Sequence, residues 1–480
     1  MKKILYTIVA IAVLSITACD DYIDITPTGR ITVDSTYQYY ELVALPNRAY
    51  YSVPFDMLTD NSWIKESNVI GYENLNWNGI NTTFNESADR LVLPNNQIYA
   101  NCYQYILRQN IVLSEIDNSI GSDEIKNLAK AEARIFRAWD HFVLVNTYAK
   151  AYNPQTAASD GGVPVIKEYN LEARTGKSSV AEVYDFIIKE IDEALPLLQE
   201  KPLNEYHPSK AFGYALKALV RLFHHDWQEA KEAAEQSLAL KSDLIDYIEL
   251  EKNGGPTKKY QGDYTYGKGN NPELLSYMSV SSATENLTYT PGGLISPELV
   301  QLFEENEDLR FTLFFNKSGN AYYYDAGSGA ALWNSSITYS KFYYGTVSLR
   351  TAEMYLILAE CQARLGDING AMTTLNKLRE KRIKNFDPSK FTASNTQDMM
   401  EQIINERRKE LLFGFHRFWD LKRLNTEPEY AKTIVRTFPI VSTEVEHKTY
   451  TLRPDSRLYI IPFPENAISL NPNLTQNTDE

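Results

Sequence analysis

Residues 350–365 read RTAEMYLILAECQARL, and DINGAMTTLNKLR follows at 367–379 after a single glycine. In each half, apolar side chains recur at steps of three and four residues, which predicts two amphipathic helices. Gly366 can adopt the left-handed conformation that ends a helix, and Asp367 can accept backbone N–H bonds at the start of the next. The small side chains of Ala359 and Ala371 would let the two helices approach closely. The stretch therefore predicts an antiparallel helical hairpin of the tetratricopeptide type.

A second hairpin repeats this pattern in phase. Ala218 and Ala230 stand twelve positions apart, as Ala359 and Ala371 do, and Asp226 takes the place of the aspartate at the turn. One helix pair cannot bury its apolar face alone, so two pairs in phase indicate a stacked array.

The rest of the chain is assigned around these hairpins. Helices are predicted at 35–50, 96–120, 123–148, 179–198 and 397–412, with helix pairs at about 96–148, 179–240 and 349–382. An insertion at about 242–347 breaks the helical period and predicts short strands and loops, with one helix at 297–305. The chain after 412 is expected to be irregular. The prediction is an all-α dominated, tetratricopeptide-like helix-pair scaffold, a single domain over 31–480 whose irregular loop and short-strand insertions form the ligand face.

The first residues differ in composition from the rest. Lys2 and Lys3 precede an apolar run over 4–16, which is typical of a secretory signal peptide and too short to span a bilayer. The small residues before Cys19 resemble a bacterial lipobox, which would make 1–18 a lipoprotein signal peptide, Cys19 the lipidated residue and 19–30 a tether. The alternative is a plain signal peptide with an incidental cysteine.

Composition limits the possible partners. The 480 residues carry a formal net charge of −14, with a pI near 5.1. This argues against nucleic acid as a partner, because phosphate binding needs clustered Lys and Arg. Cys102 and Cys361 lie in apolar helical patterns and are expected to be separate buried thiols rather than a disulfide or a metal site.

Two groups of aromatic residues stand outside the helical pattern. The first group is Trp63, Tyr72 and Trp77, set among Asp60, Asn61, Asn74, Asn76 and Asn78 in a loop. The second group is Tyr289, Tyr322, Tyr323, Tyr324 and Trp333 in the insertion, with Asp325 and Asn334 close by. Aromatic faces that stack on sugar rings, with polar groups for the hydroxyls, are what carbohydrate binding without catalysis requires. The alternative is that these aromatics form a small core under the insertion.

Catalytic patterns are weak by comparison. Gly327-Ser328-Gly329 lacks the spacing of a nucleophile elbow. Gly176-Lys177-Ser178 resembles the end of a phosphate loop, but Leu171 stands where its first glycine is needed. His224 and His225 occur without the His-Glu-x-x-His pattern. We therefore predict no catalytic residue, no cofactor and no metal site, and a protein that is not an enzyme.

Residues 405–423 read NERRKELLFGFHRFWDLKR and resemble the C-terminal signature of the SusD/RagB family. The order departs slightly from the usual form around Gly414. Further matches in the family's order are Arg350-x-Ala352-Glu353, Ala359-Glu360, Gly161-Gly162-Val163-Pro164, Ile461-Pro462 and the run NPNLTQN at 471–477. Within the signature, Glu406, Arg407, Arg408 and Glu410 have the spacing of a helix surface that makes ion pairs, and Trp419 and Leu421 are expected to pack against the repeats.

The resemblance implies a surface-exposed, lipid-anchored nutrient-binding protein of the outer membrane of a Bacteroidetes bacterium. Asp20 and Asp21 after the cysteine resemble a surface-export signal of such lipoproteins. The family implies four helix pairs, a SusC-like TonB-dependent transporter as partner, and an oligosaccharide as ligand. Peptide capture, known in some members, is the first alternative. A scaffold that binds only proteins is the second.

Overall fold

The protein is described here by a computed structural model. It describes residues 33–44, 55–64, 77–91, 97–170, 172–253, 271–276, 278, 293–304, 306–318, 321–324, 348–412, 415–438 and 447–478. Residues 1–30, and with them Cys19, lie outside these ranges.

Helices dominate the described residues, and the predicted fold class is confirmed. In chain order, the first elements are α1 (Thr36–Val43), β1 (Ser62–Ile64), α2 (Trp77–Thr83), α3 (Gln97–Glu115), α4 (Asp123–Tyr148), α5 (Val180–Ala194), α6 (Lys210–Phe223) and α7 (Trp227–Leu240). The insertion then holds α8 (Tyr247–Lys252), β2 (Gly293–Ile295), α9 (Pro297–Val300), α10 (Leu309–Phe314), β3 (Phe315–Ser318) and β4 (Ala321–Tyr324). The last elements are α11 (Thr351–Arg364), α12 (Ile368–Glu380), α13 (Thr396–Glu410), α14 (His416–Leu424), β5 (Ile434–Phe438), β6 (Lys448–Leu452) and α15 (Glu465–Leu470).

Helix α11 lies between two hydrophobic cores. Met354 and Ile357 belong to the main core, which also includes side chains of α3 to α7 and α14. Leu356 and Ala359 belong to a second core, shared with α12 and α13. A helix that is apolar on both sides is buried on both sides. Helix α11 therefore joins the early repeats to the C-terminal helices.

The turns of the two hairpins have the same backbone shape. Gly366 has φ +88°, and the Asp367 carboxylate accepts the N–H of Gly370 at 2.9 Å, as the sequence predicts. In the other hairpin His225 takes the left-handed position, with φ +65°. A histidine there is strained where a glycine is not. Its ring stacks on Trp227, with the ring centroids 5.0 Å apart.

Two antiparallel sheets accompany the helices among the described residues. The larger sheet has the order β1-β2-β4-β3, so it joins the segment before α2 to the insertion. The smaller is the hairpin of β5 and β6, in which Arg436 pairs with Tyr450.

The prediction that the chain is irregular after residue 412 is wrong, because α14, the β5–β6 hairpin and α15 follow. Helix α14 reads HRFWDLKRL, and its Arg417, Asp420 and Arg423 are buried in ion pairs. A hydrophobic pattern does not identify a helix that buries charged side chains on the same turns as its apolar ones.

Other bounds differ as well. Helix α1 ends at Val43 because Ala44 is already extended, so the predicted helix at 35–50 is too long. Helix α9 covers only Pro297–Val300, and the chain beyond it forms tighter turns in which Phe303 N–H donates to the Val300 carbonyl. The insertion also contains α8 and α10, which were not predicted.

Candidate functional site

The four-stranded sheet brings the two predicted aromatic regions together. Ser62 of β1 pairs with Ile295 of β2, and Ile295 pairs in turn with Tyr322 of β4. Trp63 is the next residue along β1, and Tyr323 is the next along β4. Residues that lie more than 250 positions apart in the sequence thus share one sheet.

Trp63 lies in a strand rather than in a loop, and its side chain is partly buried. Its ring packs on Phe438 of β5, with the centroids 5.0 Å apart, and Tyr450 of β6 packs against the same phenylalanine. The indole Nε1 is buried and has no hydrogen-bond partner among the described residues. The C-terminal hairpin therefore supports one side of the indole, and part of the side chain is left accessible to solvent.

The other predicted ligand residues have different positions. Trp77 begins helix α2 instead of lying in a loop, and its partly buried side chain packs against the main core. Tyr322 and Tyr323 lie in β4. The predicted Tyr72, Tyr289 and Trp333 lie outside the described residues.

Asp60 and Asn61, which stand beside the first aromatic group in the sequence, are not free to bind sugar hydroxyls. Both side chains are buried. Arg417 donates to both carboxylate oxygens of Asp60, at 2.7 and 2.8 Å. Burial alone would raise the pKa of Asp60, but Arg417 and Arg408 outweigh this effect and hold the pKa well below its usual range.

Helix α13 connects most of the segments that surround the sheet. Its Glu406 accepts a hydrogen bond from Arg310 of the insertion at 2.6 Å and one from Arg379 of α12 at 2.7 Å. One turn further on, Glu410 accepts from Arg382 at 2.9 Å. All five side chains are buried. The predicted ion pairs of this signature are confirmed, but they lie in the interior and not on a helix surface.

The residues between these two glutamates reach other segments. Arg407 donates to Asp420 of α14 at 2.8 Å. Arg408 donates to the Asn61 side chain at 2.9 Å, next to β1. Lys409 lies 3.4 Å from Asp308, just before α10. Separating two such partners would leave a charge buried without compensation, which is strongly destabilising. These pairs therefore hold the segments in one arrangement.

Helix α14 continues the network into the repeats. Arg423 forms a bidentate pair with Glu360 of α11, at 2.6 and 2.8 Å. Burial would raise the pKa of Glu360, but Arg423 and Arg364 lower it to about 2. The predicted packing of Trp419 against the repeats is confirmed, because its ring lies edge-on to Phe142 of α4.

Sequence reasoning missed the partners of the signature that lie in the insertion. Asp308 and Arg310 are both completely buried, and Arg310 pairs with its neighbouring Asp308 at 2.7 Å. The only available signal was a pair of opposite charges on either side of Leu309, between the acidic run EENED at 304–308 and the apolar run that follows. Such a pair does not distinguish a buried ion pair from an exposed one.

No group of three or more His, Cys, Asp and Glu side chains in the described ranges is arranged to hold a metal ion. None of the helices in those ranges combines the length and the apolar character that crossing a membrane requires.

Two family models match this chain. One, described as the SusD family, matches residues 317–479, and the other, described as starch-binding associating with outer membrane, matches residues 30–222. Among curated relatives, SusD-like protein P38 of Formosa agariphila is 25% identical over 391 residues, which is 68% of this chain and 72% of the relative. SusD-like protein P2 of the same organism is 27% identical over 413 residues, which is 75% of each chain.

Solved structures share the fold. A SusD superfamily protein of Bacteroides vulgatus superposes with a TM-score of 0.70 at 21% identity, over 92% of this chain and 97% of that chain. A putative sugar binding protein of the same organism superposes with a TM-score of 0.67 at 18% identity, over 93% of this chain and 99% of that chain. At these identities the superpositions establish the common architecture.

Proposed function

Because this chain belongs to the SusD-like proteins of Bacteroidetes, we propose that it captures oligosaccharides at the cell surface and delivers them to a SusC-like TonB-dependent transporter. Capture is non-covalent, and the protein carries out no reaction on the glycan. The ligand surface is the face of the β1-β2-β4-β3 sheet where Trp63 is accessible.

The observation that carries this proposal is the pairing of β1 with β2 and of β2 with β4. The segment with Trp63 and the segment with Tyr322 and Tyr323 each set aromatic residues among polar ones. Their meeting in one sheet supports a single extended surface. An extended surface suits an oligosaccharide, which needs several contacts to offset the ordering of a flexible ligand.

Localisation follows from the N-terminal segment in this proposal. Residues 1–18 act as a lipoprotein signal peptide, Cys19 carries the lipid, and 19–30 form a tether to one domain over 31–480. Mass spectrometry of the protein purified from outer membranes tests this step. A mature N-terminus other than an acylated Cys19 would contradict it.

Titration calorimetry tests the binding function. The full-length protein, in a detergent without a sugar headgroup, is titrated with plant, host and microbial oligosaccharides and with a peptide digest. We expect heat from one glycan class. Heat from the peptides alone would favour peptide capture, and hydrolysis of the bound glycan would contradict non-covalent capture.

Replacement of Trp63 then tests the surface. We expect Trp63→Ala to weaken glycan binding by about three- to tenfold, the range expected for loss of an aromatic contact. Trp63→Phe should retain part of the affinity. Trp227→Ala is the matched control, because Trp227 is also partly buried but contacts His225 and Arg364 at the turn of another hairpin. Equal affinities of the two alanine variants would place the ligand elsewhere.

A further inference from the structure

Arg436 is a buried charge in the middle of strand β5. Burial alternates along this strand, with Ile434, Arg436 and Phe438 facing the interior and Val435 exposed. Only 2% of Arg436 is accessible to solvent. A charge in this position costs free energy unless its hydrogen bonds are satisfied, so its partners are informative.

The partners of Arg436 are backbone carbonyls. Within the part of the chain that the structure describes, Nη2 donates to Thr59 O at 2.8 Å and to Ser62 O at 3.4 Å. Nη1 donates to Thr82 O at 3.3 Å and to Asn81 O at 3.4 Å. Burial lowers the pKa of Arg436 to about 9 despite the attraction of Asp60. The side chain remains charged at neutral pH and binds dipoles through a planar fork.

These carbonyls belong to the two segments that carry the first aromatic group. Thr59 and Ser62 lie just before Trp63, and Asn81 and Thr82 lie at the end of α2, which begins with Trp77. One guanidinium therefore fixes the position of β1 relative to α2. The Thr82 hydroxyl, which donates to the Met57 sulfur at 3.5 Å, adds a weaker contact between α2 and the segment before Trp63.

The backbone next to α2 is strained at this point. Phe84 has φ +50°, a left-handed conformation that is unusual for a bulky residue. Its ring lies against the guanidinium of Arg436, with the Cζ atom of that group 4.5 Å from the ring centroid. Strain of this kind persists where the surroundings hold the residue in place, and it often occurs beside functional sites.

The same strand also supports the indole directly. Phe438 lies two residues beyond Arg436 on the same side of β5, and its ring packs on Trp63. A change in how β5 docks would therefore alter both the backbone before Trp63 and the surface behind its ring.

We propose that Arg436 is a positioning residue of the glycan surface, which sets where the Trp63 indole lies relative to α2. This inference rests on the proposed function, because it assigns a task to Arg436 at the surface assumed to bind the glycan. Arg436 does not touch the ligand. It acts through the carbonyls of Thr59 and Ser62, and lysine cannot replace it fully because an ammonium group lacks the fork.

The test compares Arg436→Gln and Arg436→Lys with a matched control. Arg90→Gln is that control, since Arg90 is 5% exposed and also donates to a backbone carbonyl, that of Arg457, at 3.1 Å. The full-length proteins are labelled with 5-fluorotryptophan, and the Trp63 signal in the ¹⁹F NMR spectrum is assigned with Trp63→Phe. This signal is measured without ligand, so it does not depend on knowing the glycan.

We expect the Trp63 signal to shift in Arg436→Gln, to shift less in Arg436→Lys, and to stay unchanged in Arg90→Gln. Affinity for the glycan that the wild-type protein binds should fall about three- to tenfold in Arg436→Gln, as for a weakened aromatic contact. Arg90→Gln should lower the melting temperature without changing affinity.

An unchanged Trp63 signal and unchanged affinity in folded Arg436→Gln would overturn the inference. If that variant does not fold, Arg436→Lys decides on the same two measurements. If the wild-type protein binds no glycan while the Trp63 signal still shifts, the proposed function fails and the positioning of Trp63 by Arg436 is supported.

Discussion

Asp60 and Arg417 are 357 residues apart in the chain and form a buried bidentate ion pair, with Nε to Oδ1 at 2.7 Å and Nη2 to Oδ2 at 2.8 Å. Asp60 directly precedes the segment that enters β1, and Arg417 lies in α14. Arg408 of α13 and Lys432 approach the same carboxylate at 3.3 and 2.7 Å. One buried aspartate thus attaches the start of the candidate ligand surface to the C-terminal helices.

Replacement of this aspartate should be strongly destabilising. Asp60→Asn retains the shape but removes the charge, which leaves Arg417 and Arg408 buried without a full counter-charge. We expect a loss of about 3–5 kcal/mol in the free energy of unfolding. Denaturant unfolding measures it. Asp123→Asn, at an exposed carboxylate 3.9 Å from Lys126, should change stability by less than about 0.5 kcal/mol. Equal effects of the two variants would refute the structural role of Asp60.

The buried carboxylates predict a steep acid limit to stability. The pKa of Glu360 falls from 4.5 to about 2 in the folded protein, because Arg423 and Arg364 outweigh the effect of burial. The unfolded chain therefore takes up the proton first. The stabilisation is fully present above about pH 4.5 and is lost as the pH falls toward 2.

Melting temperatures measured from pH 7 to pH 2.5 test this dependence. Glu360→Gln should be less stable than wild type at neutral pH, and the difference between the two should shrink below about pH 4.5. Parallel curves for the two proteins would show that Glu360 is not the titrating group.

The two hairpin turns make a separate prediction about backbone strain. A Cβ at Gly366 would meet nothing within 4 Å, so the cost of Gly366→Ala arises from φ +88° alone. We expect it to lower the free energy of unfolding by about 1–2 kcal/mol. Thermal or denaturant unfolding measures this change.

At the equivalent position, His225→Gly removes the strain while His225→Ala retains it, and both lose the stacking on Trp227. The glycine variant should therefore be more stable than the alanine variant by on the order of 1 kcal/mol. The opposite order would mean that the flexibility of glycine in the unfolded chain outweighs the strain.

Local patterns were sufficient for the scaffold. The hairpin over 350–379 could be predicted because its signals lie within one turn of one another: the apolar period, the glycine at the left-handed position and the aspartate that accepts the next N–H bonds. The segment over 416–424 has no such signal. It buries arginine, aspartate and lysine side chains together with its aromatic and aliphatic ones, and whether charges are exposed or buried depends on what packs against them.

The sequence by itself determined the helical hairpins, the family to which the chain belongs, and the residue types that the candidate surface would use. Only the tertiary structure decided that Trp63 and Tyr322 share a sheet, that Trp77 packs against the main core, and that Asp60 is bound by Arg417. The physical reason is the separation in sequence between the residues that interact. A helix is specified by neighbours three and four positions away, whereas an ion pair or a strand pairing joins residues hundreds of positions apart. No local pattern states which of the many carboxylates an arginine will meet.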